Sequence, residues 1–152
     1  AGGRTPLRAP LQALLRVMQR LYAARELQLE MDEFADRLEF RGEEPDLQEM
    51  VGNLLDNACK WAARRVRIGA QATAPDRLSI VIDDDGPGIS EDERERIFER
   101  GVRMDEQRPG SGLGLDIVRD LAGTYGGEIS AGPSPLGGLR VTLTLPALPT
   151  GL

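Results

Sequence analysis

Three stretches of this 152-residue chain combine residue types and spacings suited to chemistry. In the first, Asp83-Asp84-Asp85-Gly86-Pro87-Gly88-Ile89 follows directly on the apolar run Leu78-Ser79-Ile80-Val81-Ile82, so a strand delivers three carboxylates into a glycine-rich turn. A carboxylate at a strand end, beside glycines that admit close backbone approach, can read a planar polar group such as a nucleobase. Three acids together could equally hold a metal ion. In the second, Asn53, Asn57, Lys60 and Trp61 follow one another at steps of four, three and one, so on a helix they share a face. Two amide oxygens one turn apart can help hold Mg²⁺, and Lys60 would bring positive charge to phosphates. The plainer alternative is a solvated polar face with Trp61 tucked against a neighbour. In the third, Gly110-Ser111-Gly112-Leu113-Gly114-Leu115 opens a helix, where free N–H groups and the helix dipole favour an anion such as phosphate. It is not a dinucleotide fingerprint, because the third glycine comes one place early and no strand precedes it, and no Gly-Lys-Ser/Thr follows to make a P-loop.

The elements that must position these residues follow from hydrophobic periodicity. Leu7, Leu11, Leu14, Leu15, Met18, Leu21 and Tyr22 recur at helical steps and predict an amphipathic helix from Leu7 to Leu21. Leu27–Met31 alternates as a half-buried strand, and Leu38–Phe40 reads as a short second one. Asp46, with Glu49 three residues on, is placed to cap the Asn-bearing helix, which runs to Ala62 on the stripe Leu47, Met50, Val51, Leu54, Leu55 and Ala58. Val66–Ala72 and Leu78–Ile82 read as an antiparallel pair turned at Pro75-Asp76. Glu91–Phe98 reads as a short helix, and the charged stretch Glu99–Gly110 as a lid loop. A helix from Gly114 to Tyr125 stops at Gly126-Gly127, before the strands Glu128–Ala131 and Leu139–Leu145. Strands interspersed with helices, without regular βαβ alternation, predict an α+β fold: a two-layer sandwich of a mixed, mostly antiparallel sheet with helices on one face. The expected division is a linker or cloning remnant over residues 1–6, one domain over 7–146 and a tail over 147–152.

Composition bounds the function. A net charge of −6 disfavours a nucleic-acid partner, whose phosphates are bound by clustered Lys and Arg. The single cysteine, Cys59, excludes an internal disulfide and fits a reducing compartment. Because the chain contains no histidine, a His-based triad, a His-ligated metal and a phosphohistidine are all excluded within it. No run approaches the roughly 20 apolar residues of a membrane helix.

The order of the parts is more specific than any one of them: an Asn-bearing helix, an Asp-Gly-Pro-Gly strand end, a charged loop and a glycine-opened helix. In that order the chain resembles the ATP-binding catalytic domain of bacterial sensor histidine kinases, within the wider Bergerat-fold (GHKL) group of ATPases and kinases. Asn53-Leu54-Leu55-Asp56-Asn57-Ala58 is similar to the family's N box, Asp85-Gly86-Pro87-Gly88-Ile89 to its G1 box, Ile97-Phe98 to its F box and Gly110 through Leu115 to its G2 box. The resemblance spans Leu7 to Leu145. Asn57-Ala58-Cys59-Lys60, with Arg103, Arg108, Pro109 and Gly110, looks closest to the PhoQ-type branch.

The resemblance implies that Asp85 accepts a hydrogen bond from the adenine amino group, while Gly86, Gly88 and Ile89 make room for the base. Asn57 would ligate Mg²⁺ with Asn53 assisting, Lys60 would contact phosphate, and Trp61 would lie beside the adenine. Arg103 and Arg108 would approach the phosphates or the phosphoacceptor. Gly110, Ser111, Gly112, Leu113, Gly114 and Leu115 would hinge the lid and present N–H groups to the phosphate chain. Asp83 and Asp84 are left with structural support. Asn53, Lys60, Arg103 and Arg108 form the expected catalytic set for phosphoryl transfer, which asks a protein mainly for positioning and charge stabilisation.

The implied activity is donation of the ATP γ-phosphate to a histidine on a separate dimerisation and phosphotransfer domain, with a cognate response regulator reached through the full kinase. The expected fragment is a monomer in the cytoplasm, its parent a homodimeric inner-membrane sensor. Two rivals stand beside this reading. One is a Bergerat-fold ATPase of the gyrase, chaperone or mismatch-repair kind. Such ATPases place a water-activating glutamate where this chain has Asn53, an amide that takes no proton at neutral pH. The other is a nucleotide-binding module without catalysis.

Overall fold

A computed structural model describes residues 3–99 and 114–149 of the chain. In chain order the elements begin with β1 (Thr5–Pro6), α1 (Arg8–Leu21), β2 (Gln28–Met31) and β3 (Glu39–Phe40). After them come α2 (Glu44–Trp61), β4 (Arg65–Ala74), β5 (Arg77–Asp84) and α3 (Glu91–Arg94). The chain closes with α4 (Leu115–Thr124), β6 (Glu128–Pro133) and β7 (Leu139–Pro146). Five strands form one sheet in the order β2-β4-β5-β7-β6. Only the β2–β4 pairing is parallel. The architecture is the expected α+β sandwich.

Strand parity builds the two layers. Leu78, Ile80 and Ile82 of β5 face the helices, in register with Leu145, Leu143 and Val141 of β7, and all six are buried. Against them α2 lays Leu47, Met50, Val51, Leu54, Leu55, Ala58 and Cys59, a helical stripe that is buried throughout. Each fully buried Leu or Ile contributes about 1.5–3 kcal/mol by leaving water. The opposite sheet face is polar. There Arg67, Asp83 and Arg140 stand in one row across β4, β5 and β7, and Arg140 grips Asp83 through two hydrogen bonds of 2.9 Å. Asp83 is thus an outer-face residue.

Several boundaries differ from the expectation. Thr5 and Pro6, assigned to a linker, form β1 against β3, and Thr5 is buried with its hydroxyl donating to the Gly42 carbonyl. The tail is likewise tied down at its start: Ala147 is buried and bridges Phe40, and Leu148 donates to the Glu39 carbonyl. Asp46 does not cap α2. The helix starts at Glu44 with Pro45 in its first turn, where a missing N–H costs nothing, and Asp46 instead accepts the Tyr125 hydroxyl hydrogen. Of the expected Glu91–Phe98 helix only Glu91–Arg94 is helical, capped by Ser90, whose hydroxyl accepts from the Glu93 amide. Among the described residues no helix is long and apolar enough to cross a membrane.

Candidate functional site

The C-terminal end of α2, the end of β5 and the start of β7 meet around a recess that opens to solvent. Asn57 and Trp61 line it from α2, and Asp84 from β5. Pro87, Gly88 and Ile89 close the turn side, and Ile97 and Leu139 complete the apolar part of the wall. Asp84 is the one acid in this lining.

Asp84 is 3% exposed. Its Oδ1 accepts the Gly86 amide at 2.8 Å and the Leu139 amide at 3.3 Å. Oδ2 takes no hydrogen bond from the described residues. Burial pushes its carboxyl above the ordinary range. The Gly86 and Leu139 amides pull back only in part, and the like charges of Asp85 and Asp83 push further. The backbone around it is packed to contact. A Cβ on Gly138 would stand 2.2 Å from Asp84 Oδ1, and one on Gly86 would stand 2.2 Å from the Trp61 carbonyl oxygen.

Asp85, expected to read the adenine, does not line the recess. Its carboxylate turns away to the link between α2 and β4, where Oδ1 accepts the backbone N–H groups of Ala63, Arg64 and Arg65, each at 2.9 Å. Burial raises its carboxyl, but the three amides outweigh that and hold it below the ordinary range. The correction has a simple cause. Asp84 shares the inward parity of Leu78, Ile80 and Ile82, whereas Asp85 lies beyond the last strand residue and follows the turn.

The α2 residues divide. Asn57 and Trp61 line the recess. Asn53, one turn back, donates from Nδ2 to the Glu49 carbonyl at 2.7 Å, and its Oδ1 crowds Gly114, where an added Cβ would lie 2.6 Å away. Gly114 holds φ +97° as the residue before α4, a left-handed conformation suited to glycine, so Asn53 and the opening of α4 are in contact. Leu115 is buried in the core. Lys60 does not line the recess; its Nζ lies 3.0 Å from Asp56 Oδ2. Gly88 takes φ +70° beside Gly138. Arg103, Arg108, Gly110, Ser111, Gly112 and Leu113 lie outside the described residues.

Residues that sequence reasoning passed over are Asp84, Pro87, Ile97, Leu139 and Arg25. Strand parity marks Asp84 and Leu139, and Ile97 belongs to the F box. Nothing local marks Arg25. From the turn after α1 it donates to the carbonyls of Cys59 at 3.3 Å and Ala62 at 2.5 Å, closing the C-terminal end of α2.

Residues 42–149 match the model of the family described as histidine kinase-, DNA gyrase B- and HSP90-like ATPase. The chain belongs to this ATPase family. Within the family it is 54% identical over 106 residues to the sensor protein kinase CarS of Pseudomonas aeruginosa, covering 70% of this chain and 24% of that protein. To the sensor protein PhoQ of Escherichia coli K12 it is 41% identical over 136 residues, covering 90% and 28%. The chain spans about a quarter of the length of these curated relatives. Among solved structures of the family, the mycobacterial sensor histidine kinase MprB superposes with a TM-score of 0.81 at 28% identity, covering 98% of this chain and 99% of that one. The ATP-binding domain of PrrB from Mycobacterium tuberculosis gives 0.78 at 29%, covering 95% and 96%. The family's ATP-binding domain of the histidine-kinase type is therefore the frame in which the recess is read.

Proposed function

We propose that this chain is the Mg-ATP-binding catalytic domain of a two-component sensor histidine kinase, and that its recess holds the adenine. The observation that carries the reading is Asp84: one buried carboxylate with Oδ2 unbonded among the described residues, in a recess whose other described lining residues, Asn57 apart, are apolar or glycine. An ionised carboxylate only accepts, so it suits the amino group of adenine and repels the carbonyl oxygen that guanine presents at the same place. Trp61 supplies a flat apolar flank, and Gly88 keeps the turn open to the base.

Among the described residues no group of three His, Cys, Asp or Glu stands ready for a metal, which leaves amide oxygens as donors. Asn57 on the recess wall, with Asn53 one turn back, fits Mg²⁺, an oxygen-seeking ion that keeps waters and phosphates in its shell. Mg²⁺ held there would neutralise charge on the transferred phosphate. Lys60 is the described cation nearest in sequence to these ligands and is assigned to the phosphates, as are Arg103 and Arg108.

The chain has no histidine, so the phosphoacceptor belongs to a partner: the dimerisation and phosphotransfer domain of a longer kinase, which in turn serves a response regulator. That the curated relatives are sensor kinases about three times as long supports this arrangement, and a parent anchored in the membrane with this domain in the cytoplasm is its natural extension. The test is to mix the chain with γ-labelled Mg-ATP and a cognate dimerisation hairpin. Acid-labile label on the hairpin histidine is expected. Rapid release of labelled phosphate without labelled hairpin would favour an ATPase instead, against the amide at Asn53.

A further inference from the structure

Lys60 reaches the phosphates, on the reading above, only by leaving a partner that already holds it. Its side chain is 20% exposed, with Nζ 3.0 Å from Asp56 Oδ2 one helical turn back. The other oxygen of that carboxylate, Oδ1, accepts a hydrogen bond of 2.6 Å from the hydroxyl of Tyr22, the residue that ends α1. Asp56 therefore joins two helices and fixes a lysine at once. Its flanking neighbour Asn57 lines the recess, as does Trp61 beside Lys60, whereas Lys60 itself does not. Burial, the Asp56 hydrogen bond and its charge all push the Tyr22 hydroxyl above its ordinary range, so it stays a donor throughout the working pH range.

We propose that Asp56 is a positioning residue: it holds Lys60 along α2 until a nucleotide phosphate draws the ammonium away, and the Tyr22 hydroxyl keeps Asp56 satisfied once Lys60 has left. The inference rests on the assignment of Lys60 to phosphate. Two charges oppose phosphate binding while the pair is intact, since Asp56 neutralises the ammonium and itself repels an anion. Removing the Asp56 charge releases Lys60 and favours phosphate; removing the Tyr22 hydroxyl concentrates negative charge on Asp56 and holds Lys60 more firmly.

The experiment measures ATP and adenosine affinities of the 152-residue chain by calorimetry in the presence of Mg²⁺. Asp56→Asn keeps an acceptor for Tyr22 and is expected to tighten ATP binding about three- to tenfold while leaving adenosine unchanged, because adenosine carries no phosphate. Tyr22→Phe, which keeps the ring, is expected to weaken ATP binding and again leave adenosine unchanged. In a Lys60→Met background, Asp56→Asn should tighten ATP binding clearly less than in the unaltered chain, because only the direct repulsion between Asp56 and the phosphates is then relieved. Equal changes in ATP and adenosine, or an Asp56→Asn effect on ATP that is undiminished without Lys60, would overturn the proposal. If Asp56→Asn does not fold, the Tyr22→Phe result decides alone, and an unchanged ATP affinity there overturns it. Loss of the nucleotide reading itself looks different: neither ATP nor adenosine would bind the unaltered chain.

Discussion

Adjacent in sequence, Asp84 and Asp85 hold their protons in opposite ways because one carboxylate is buried in an apolar wall and the other sits in a nest of three backbone amides. The signs follow from linkage. The folded value of Asp85 is depressed, so its stabilisation is present above the ordinary carboxylate range and is lost as pH falls through the lowered value. Asp85→Ala should cost about 1–3 kcal/mol at neutral pH, a deficit that shrinks on acidification, as read from urea unfolding at a series of pH values. The folded value of Asp84 is raised, so its contribution is full below the ordinary range and is lost as pH rises through the raised value. Asp84→Asn, which keeps an oxygen for the Gly86 and Leu139 amides, should therefore melt no lower than the unaltered chain at neutral pH and gain relative to it as pH rises. At this scale the sequence located the turn but not the residue. All three acids are equally prominent in Asp83-Asp84-Asp85, and only counting parity back through Ile82, Ile80 and Leu78 separates an outward, an inward and a post-strand carboxylate.

The α2 helix carries the site because its C-terminal end and its flank are held by other elements. Arg25 closes its last carbonyls, Asp85 fixes the chain that leaves it, and Gly114 lets α4 begin against Asn53. Gly114→Ala would force a Cβ to 2.6 Å from Asn53 Oδ1 at a positive φ, so a loss of about 1–3 kcal/mol in thermal or urea unfolding is expected, together with weaker Mg-ATP binding. The long helices and the strands β4, β5 and β7 were legible because their apolar residues repeat strictly at 3.6 or 2. The two-residue β1 was not, since Thr5-Pro6 carries no periodic signal and is a strand only because Phe40 and Glu39 lie opposite it. Nor was the parallel pairing of β2 with β4, which joins strands separated in the chain by β3 and α2 rather than by a tight turn.

For the whole molecule, the two faces of the sheet divide the labour. One face buries the core against α1, α2 and α4, and on the other Arg67 and Arg140 cover a buried Asp83 in an ion-paired row. The recess opens at the edge of the buried layer, where α2 and β5 end and β7 begins, so on the proposed function the adenine enters a mainly apolar site while the phosphates stay near Asn57 and the start of α4. On the proposed function a chain without histidine hands its phosphoryl group to another domain, so binding and transfer are separable in experiment. The binding half is the central claim, and calorimetric titration of the 152-residue chain and its Asp84→Asn variant with Mg-ATP tests it most directly. The account predicts saturable one-to-one binding that Asp84→Asn weakens by roughly ten- to a hundredfold without lowering the melting temperature. Equal affinity of the two proteins for Mg-ATP would contradict it.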